Sequence, residues 1–412
     1  MRIAVVGAGL AGARFAQQYR ALGGQGELTL YGAEERGPYN RVLLAEVLAG
    51  RYDFEMIALP YGPGVELRTG REVLALDPAG RRLLAGGGDW TGYDHLVLAT
   101  GANPVLPPLR GLRGAGGLRP GVHAFRTLAD CARLAEDAAT AERAVVIGGG
   151  VLGVSAARAL ASLGLPVEIV HQAPHLIERQ LDERAADALR GALAGLGVVS
   201  YLDNRARALC GPAGEDPAAL GRVTGVELAN GYRLEADLVV LACGVRPRTG
   251  LAHAAGLAVR QGVLVDDRLA TGAPGVHALG DCAEHRGRVH GLAEPAYQMA
   301  EALAARLSGA DPEARWTGAR TLSRLSTGPL EYAAFGESGG RAEAEPGTDV
   351  LRLADPTRGT YKKLVLRGDR LVGGILLGDL ATVGALTRAY ERDDPLPDDL
   401  LPLITTTRGA RP

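Results

Sequence analysis

Two doubly wound α/β domains and a smaller α+β C-terminal domain are predicted for this 412-residue chain. Three observations predict them. A strand, a glycine-rich turn and a helix follow one another twice, from Ile3 to Leu22 and from Ala144 to Leu163. A continuous apolar strand ending in glycine trails each unit, as strands buried on both faces do. Past residue 316 the pattern changes to β-rich alternation.

The first unit reads Ile3-Ala4-Val5-Val6, then Gly7 to Gly12, a helix to Leu22, and a second strand Leu28-Thr29-Leu30-Tyr31. The apolar strand His95 to Leu98 runs into Ala99-Thr100-Gly101, with Pro104, Pro107 and Pro108 turning the chain after it. The second unit reads Ala144-Val145-Val146-Ile147, then Gly148 to Gly153, a helix to Leu163, and Val167-Glu168-Ile169-Val170. Its apolar strand is Asp237 to Cys243, ending at Gly244 before Pro247. Each unit has the alternation a parallel sheet requires. Val263-Leu264-Val265 and Val276 to Leu279 read as short strands, Gly280-Asp281 as a tight turn, and Pro295 to Leu307 as a helix with proline in its first turn. Tyr361 to Leu366 and Leu371 to Leu377 form a predicted hairpin across Gly368-Asp369. A helix is expected over Ala381 to Glu391, and an irregular end at Pro395, Pro397 and Pro402.

Composition narrows the function classes. Net charge is −2, aromatics are 4% and charged residues 22%. That excludes the basic footprint and the stacking platforms of nucleic-acid binders. No apolar run reaches ~18 residues, so no membrane span is expected. The N-terminus enters a strand directly, so no signal peptide is expected. Of 45 basic residues only Lys362 and Lys363 are lysines, and the 59 glycines are about twice the usual share; both skews suit GC-rich coding. Cys131, Cys210, Cys243 and Cys282 form no C-x-x-C pair. That speaks against a disulfide framework, a metal site or an iron–sulfur cluster in this chain, and for a reducing, cytoplasmic setting.

Gly7-x-Gly9-x-x-Gly12 between strand and helix has the form of a dinucleotide phosphate loop. The first glycine permits the tight turn, the second lets backbone approach a pyrophosphate, and the third lets helix pack on strand. Leu10 and Ala11 then open a helix whose free N–H groups face the phosphates. An acid is expected near the end of the second strand to hold a ribose; there the chain reads Ala33-Glu34, and Glu34 is the candidate. Gly148-x-Gly150-x-x-Gly153, with Val151 and Leu152, repeats the loop. Its second strand ends in His171-Gln172 without an acid, and the nearest arginine for a 2′-phosphate is Arg179, several residues on. The reading leans to NADH and leaves NADPH open. Two such loops imply two dinucleotides, one flavin and one nicotinamide. Arg41 is a candidate for FAD, because a guanidinium meets phosphate bidentately; a surface ion pair is its other reading. Cys243 and Cys282 read as buried, inert thiols, and His285 and Arg286 either face an acceptor or sit in a solvated turn.

The chain resembles the FAD- and NAD(P)-dependent pyridine-nucleotide reductases. The resemblance rests on Gly7 to Gly12, Ala99-Thr100-Gly101, Gly148 to Gly153, Gly244-Val245-Arg246-Pro247 and Ala278 to Ala283. It implies Rossmann-like domains, with an NAD(P) domain at 116–244 inserted in an FAD domain at 1–115 and 245–315, and a C-terminal domain at 316–412. It further implies that Gly280 and Asp281 meet the ribityl chain and Val73 the adenine. The helix at Pro295 is implied to aim its positive end at the flavin. Within the family the chain is most similar to the flavin-bearing N-terminal part of NADH-dependent nitrite reductase large subunits, through Tyr39 to Leu44, Glu178-Arg179-Gln180-Leu181-Asp182 and Tyr361 to Leu366.

The chain also departs from its family. No cysteine cluster for an iron–sulfur or sirohaem centre is present, and residues 39–50 hold no redox cysteine. Glu46 stands where related rubredoxin and ferredoxin reductases have lysine, and Ser155 where many have glutamate. No catalytic side chain and no metal ligand is singled out. The expected function is transfer of a hydride from NAD(P)H to FAD and of electrons to an external acceptor. That acceptor is a reductase subunit or iron–sulfur protein of nitrite or nitrate reduction. The alternatives are a stand-alone oxidase or peroxidase, a ferredoxin or rubredoxin reductase, and a non-catalytic redox sensor. The oligomeric state is left open.

Overall fold

Strands apolar along their whole length must be covered on both faces, and the chain achieves this twice. The computed structural model describes residues 1–212, 220–320, 322–327, 330–339, 345–397 and 399–405. It divides into two compact units. One comprises Met1–Leu44, Tyr52–Pro104 and Val245–Ala319; the other comprises Ala45–Arg51, Val105–Gly244 and Arg320–Pro412.

In the first unit a five-stranded parallel sheet runs in the order Val276–Ala278, His95–Leu98, Arg2–Val6, Glu27–Tyr31, Glu66–Arg68. Helix Leu10–Ala21 provides the crossover from its central strand and packs beside helix Ala293–Ser308. Val5, Phe15, Leu30, Leu96, Met299 and Leu303 are part of one apolar core. The long helix starts two residues before Pro295, which occupies its first turn, where a missing N–H costs nothing. A separate antiparallel sheet holds Val73–Asp77, Arg82–Ala85 and Trp90–Gly92.

The second unit repeats the order. Its parallel sheet runs Val122–Ala124, Leu238–Leu241, Ala144–Ile147, Val167–Val170, Val198–Tyr201. In both sheets the strand leading into the glycine loop is central, flanked by its βαβ partner and by the glycine-ended apolar strand. The C-terminal part is a five-stranded antiparallel sheet ordered Leu322–Thr327, Leu330–Gly336, Arg370–Leu377, Thr360–Arg367, Thr348–Asp355. Helix Val383–Arg392 covers it with Val383, Leu386 and Tyr390. Helix Glu183–Ala194 also lies against this sheet. The expected irregular end contains one helical turn, Leu401–Ile404, with Pro402 near its start.

Candidate dinucleotide sites

At the first loop the three glycines have different reasons to be glycine. Gly7 has φ +117°, and a Cβ there would lie 2.1 Å from the Ala99 carbonyl oxygen. A Cβ on Gly12 would lie 2.1 Å from the Gly7 oxygen. Helix and strand therefore approach too closely for any side chain. Gly9 is the N-cap of helix Leu10–Ala21, with no side-chain cap and no acid in the first turn. The N–H groups of Leu10, Ala11 and Gly12 open the helix, and its positive end is left for an anion.

Around this loop the unit gathers most of the candidates. The Arg41 guanidinium lies 3.7 Å from where a Gly9 Cβ would be. It pairs with Glu34 at 3.4 Å, and Tyr39 Oη donates to the other Glu34 oxygen at 2.7 Å. Asn40 starts the turn that carries Arg41, accepting the Val42 N–H. Ala33, beside Glu34, is exposed. Gly70 and Arg71 donate backbone hydrogen bonds to Glu34 and Gly32, which brings the strand beginning at Val73 alongside. Thr100 Oγ1 donates to the Arg248 carbonyl at 2.8 Å, and Arg248 N donates back to Gly101. Gly280, with φ +72°, has Ala11 and Ala296 against it, so Gly280-Asp281 faces the first turns of both helices; Pro295 is buried in the second of them. A cradle that a Cβ would fill, an uncapped helix end and an adjacent arginine fit the pyrophosphate of FAD.

The second loop has the same frame. A Cβ on Gly148 would lie 2.3 Å from the Ala242 oxygen, and one on Gly153 would lie 1.8 Å from the Gly148 oxygen. Gly150 caps helix Val151–Ser162 and has open space around it, with Val151 and Leu152 in the uncapped first turn. Gly244 follows strand Leu238–Leu241, its carbonyl accepting the Val105 N–H. His171 is buried and both its ring nitrogens are engaged. Nδ1 accepts the Gly149 N–H at 3.1 Å, and Nε2 lies 3.0 Å from Glu178 Oε2. The loop fits a second dinucleotide.

The departures from the family pattern have local explanations. Glu46 is buried and bonded to Arg158 on helix Val151–Ser162 and, at 2.6 Å, to Arg51. Arg158 is 2% exposed, and its Nε and Nη1 find no partner among the described residues. Ser155 turns its hydroxyl back to the Val151 carbonyl at 2.7 Å. The acid at position 46 thus pairs with an arginine three residues beyond Ser155 on that helix. His285 and Arg286 both bind Asp267, at 2.8 and 2.6 Å, and His285 is buried beside Trp316. None of the four cysteines is in a disulfide. Burial pushes the Cys131 and Cys243 thiols up to about 11, and raises that of Cys282 too. These are unreactive thiols.

Two stretches that are far apart in sequence meet in the second unit. Asp182 caps helix Glu183–Ala194 through the Ala185 N–H. The same carboxylate accepts from Tyr361 Oη at 2.8 Å and Lys363 Nζ at 3.0 Å. Lys363 is fully buried and also donates to the Ser338 carbonyl, while the Ser338 hydroxyl reaches the Gln180 carbonyl. Burial pushes the Asp182 carboxyl up, but the Ala185 amide, Lys363 and Tyr361 outweigh it and hold it low. Nothing in the sequence alone pointed to this pairing, because it joins a helix cap to a strand lysine.

Two glycine cradles on two parallel sheets define a flavin- and nicotinamide-dependent oxidoreductase, using FAD and NAD(P)H. The chain belongs to the pyridine nucleotide-disulphide oxidoreductase family, which matches residues 1–301. Residues 337–393 match the rubredoxin NAD+ reductase C-terminal domain. The chain is 34% identical over 384 residues to a nitrite reductase [NAD(P)H] of Bacillus subtilis (strain 168), covering 92% of this chain and 46% of that protein. It is 32% identical to the assimilatory nitrate reductase electron transfer subunit of the same organism, covering 92% and 48%. It therefore spans about half the length of these curated relatives. A ferredoxin reductase from Rhodopseudomonas palustris superposes with a TM-score of 0.84 at 26% identity, covering 96% of this chain and 95% of that one. Among the described residues no helix is long and apolar enough to cross a membrane.

Proposed function

We propose that this chain takes reducing equivalents from NAD(P)H and passes them to an external acceptor of nitrite or nitrate reduction. One observation carries the reading: two dinucleotide cradles are present, and none of the four cysteines forms a disulfide that could serve as an internal electron store. The electrons must leave the chain. FAD, when bound, supplies the chemistry that accepts a hydride and releases electrons. In this reading the Leu10, Ala11 and Gly12 amides and Arg41 hold the FAD pyrophosphate. Glu34 holds its ribose, Val73 its adenine, Asp281 its ribityl chain, and Ala99, Thr100 and Gly101 line its path. Pro295 starts the helix whose positive end favours the reduced flavin. Gly148, Gly150, Val151, Leu152, Gly153 and Gly244 form the nicotinamide nucleotide's cradle. The two Bacillus relatives support nitrite or nitrate reduction as the setting, and four cysteines outside any disulfide suit a cytoplasmic one.

Anaerobic stopped-flow tests the proposal. The purified yellow protein should bleach with NADH or NADPH, then reoxidise faster with an iron–sulfur acceptor or nitrite reductase subunit than with oxygen or peroxide. Absence of bleaching despite tight nucleotide binding would instead make it a sensor; fast turnover with oxygen alone would make it an oxidase.

A further inference from the structure

The second glycine loop lacks an acid at the end of its second strand, where one normally holds the adenosine ribose. The structure brings an acid there by another route. Helix Val151–Ser162 starts at Gly150, and the residue just before it, Gly149, is gripped on both sides of its peptide unit. Its N–H donates to His171 Nδ1 at 3.1 Å, and its carbonyl accepts the Ile177 N–H at 2.9 Å. Because Nδ1 accepts, the ring proton sits on Nε2, which donates to Glu178 at 3.0 Å. Ile177, immediately before Glu178, has φ +52° and is fully buried. A β-branched residue in the left-handed region is strained, and such strain persists where its surroundings fix it. Two hydrogen bonds to one glycine and a strained turn thus set Glu178 beside the loop. Its side chain is exposed, and its second oxygen, Oε1, has no partner among the described residues.

We infer that Glu178 is the ribose-binding acid of the nicotinamide nucleotide and makes the site selective for NADH. The inference rests on the reading of 148–171 as the nicotinamide cradle. Two neighbouring ribose hydroxyls donate to a carboxylate, whereas a 2′-phosphate meets it as a like charge. His171 is a positioning residue: its buried ring orients Glu178 and carries no contact of its own to the ligand.

The test uses the FAD-loaded protein and calorimetric titration with ADP-ribose and 2′-phospho-ADP-ribose, which lack the nicotinamide and so report binding alone. The wild type should prefer ADP-ribose. Glu178→Gln should weaken ADP-ribose roughly 10- to 100-fold, the worth of a charge-assisted hydrogen bond, and erase most of the preference. Glu178→Arg should invert it. His171→Phe should lower the preference in the wild type and not in Glu178→Gln; a merely structural role would weaken both ligands equally. An unchanged preference in Glu178→Gln, or a wild type that prefers the 2′-phosphate, overturns the assignment. If neither compound binds, the nicotinamide cradle itself is misassigned, a failure distinct from that of Glu178.

Discussion

Gly12 and Gly9 occupy the same loop but answer to different neighbours. A methyl on Gly12 collides with backbone of its own unit at 2.1 Å, whereas one on Gly9 meets only the Arg41 guanidinium at 3.7 Å. Gly12→Ala should therefore lower both stability and FAD content, and Gly9→Ala should weaken FAD while leaving the unfolding midpoint of the FAD-free protein nearly unchanged. Visible flavin absorbance and urea unfolding separate the two. A second residue-scale test concerns His277, buried on strand Val276–Ala278. Its Nδ1 faces Arg306 at 3.3 Å and its Nε2 faces His95 at 3.2 Å. Burial first, then Arg306 and His95, depress its pKa to about 3. The unfolded chain then binds a proton that the folded chain refuses. Its stabilising contribution is complete above pH ~6.5 and is lost as pH falls towards 3, at roughly 1.4 kcal/mol per pH unit. His277→Gln should flatten that slope in denaturant titrations across this range. The glycine pattern was legible in sequence because the strand–turn–helix frame has one geometry. The role of Glu178 was not, since a turn inside residues 171–178 brings it back to the loop.

At the scale of elements, the adjacent lysines of strand Thr360–Arg367 show where periodicity stops helping. Successive strand residues face opposite sides, so one of the pair should be exposed. Both are buried, because each finds a carboxylate: Lys362 binds Asp379 at 2.7 Å and Lys363 binds Asp182. The hairpin and both family-like stretches could be read from sequence; that they bind one another could not, since the pair is 181 residues apart. Lys363→Met should destabilise the protein by about 3–5 kcal/mol, because it strands a half-buried carboxylate. The double variant with Asp182→Asn should recover part of that loss in equilibrium unfolding. Additive losses would show that the two groups are not coupled.

For the whole molecule, two sheets with the same strand order make one plan used twice, and the repeated glycine loops announced it. Less legible was the association of Arg320–Pro412 with Val105–Gly244 in a single compact unit, since it depends on the Asp182 cluster and on helix Glu183–Ala194. Because FAD binds the folded chain, free FAD at a hundred times its dissociation constant should add about 2.7 kcal/mol of stability. Thermal unfolding midpoints should rise with FAD concentration and fall when the flavin is stripped. A midpoint indifferent to FAD would show that the first cradle does not hold it.

The sheet of the first unit borrows an edge strand, Val276–Ala278, from far down the chain. During translation its neighbour His95–Leu98 therefore waits, one side without hydrogen bonds, until residue 276 leaves the ribosome. At ~5–20 residues per second that wait lasts roughly ten to forty seconds. The second parallel sheet needs nothing beyond Leu241 and can close in the meantime. The part of the polypeptide that is made first is thus finished later. A nascent chain arrested shortly before residue 276 should show the Val145–Val239 pairing protected from exchange and the Leu96 region still open.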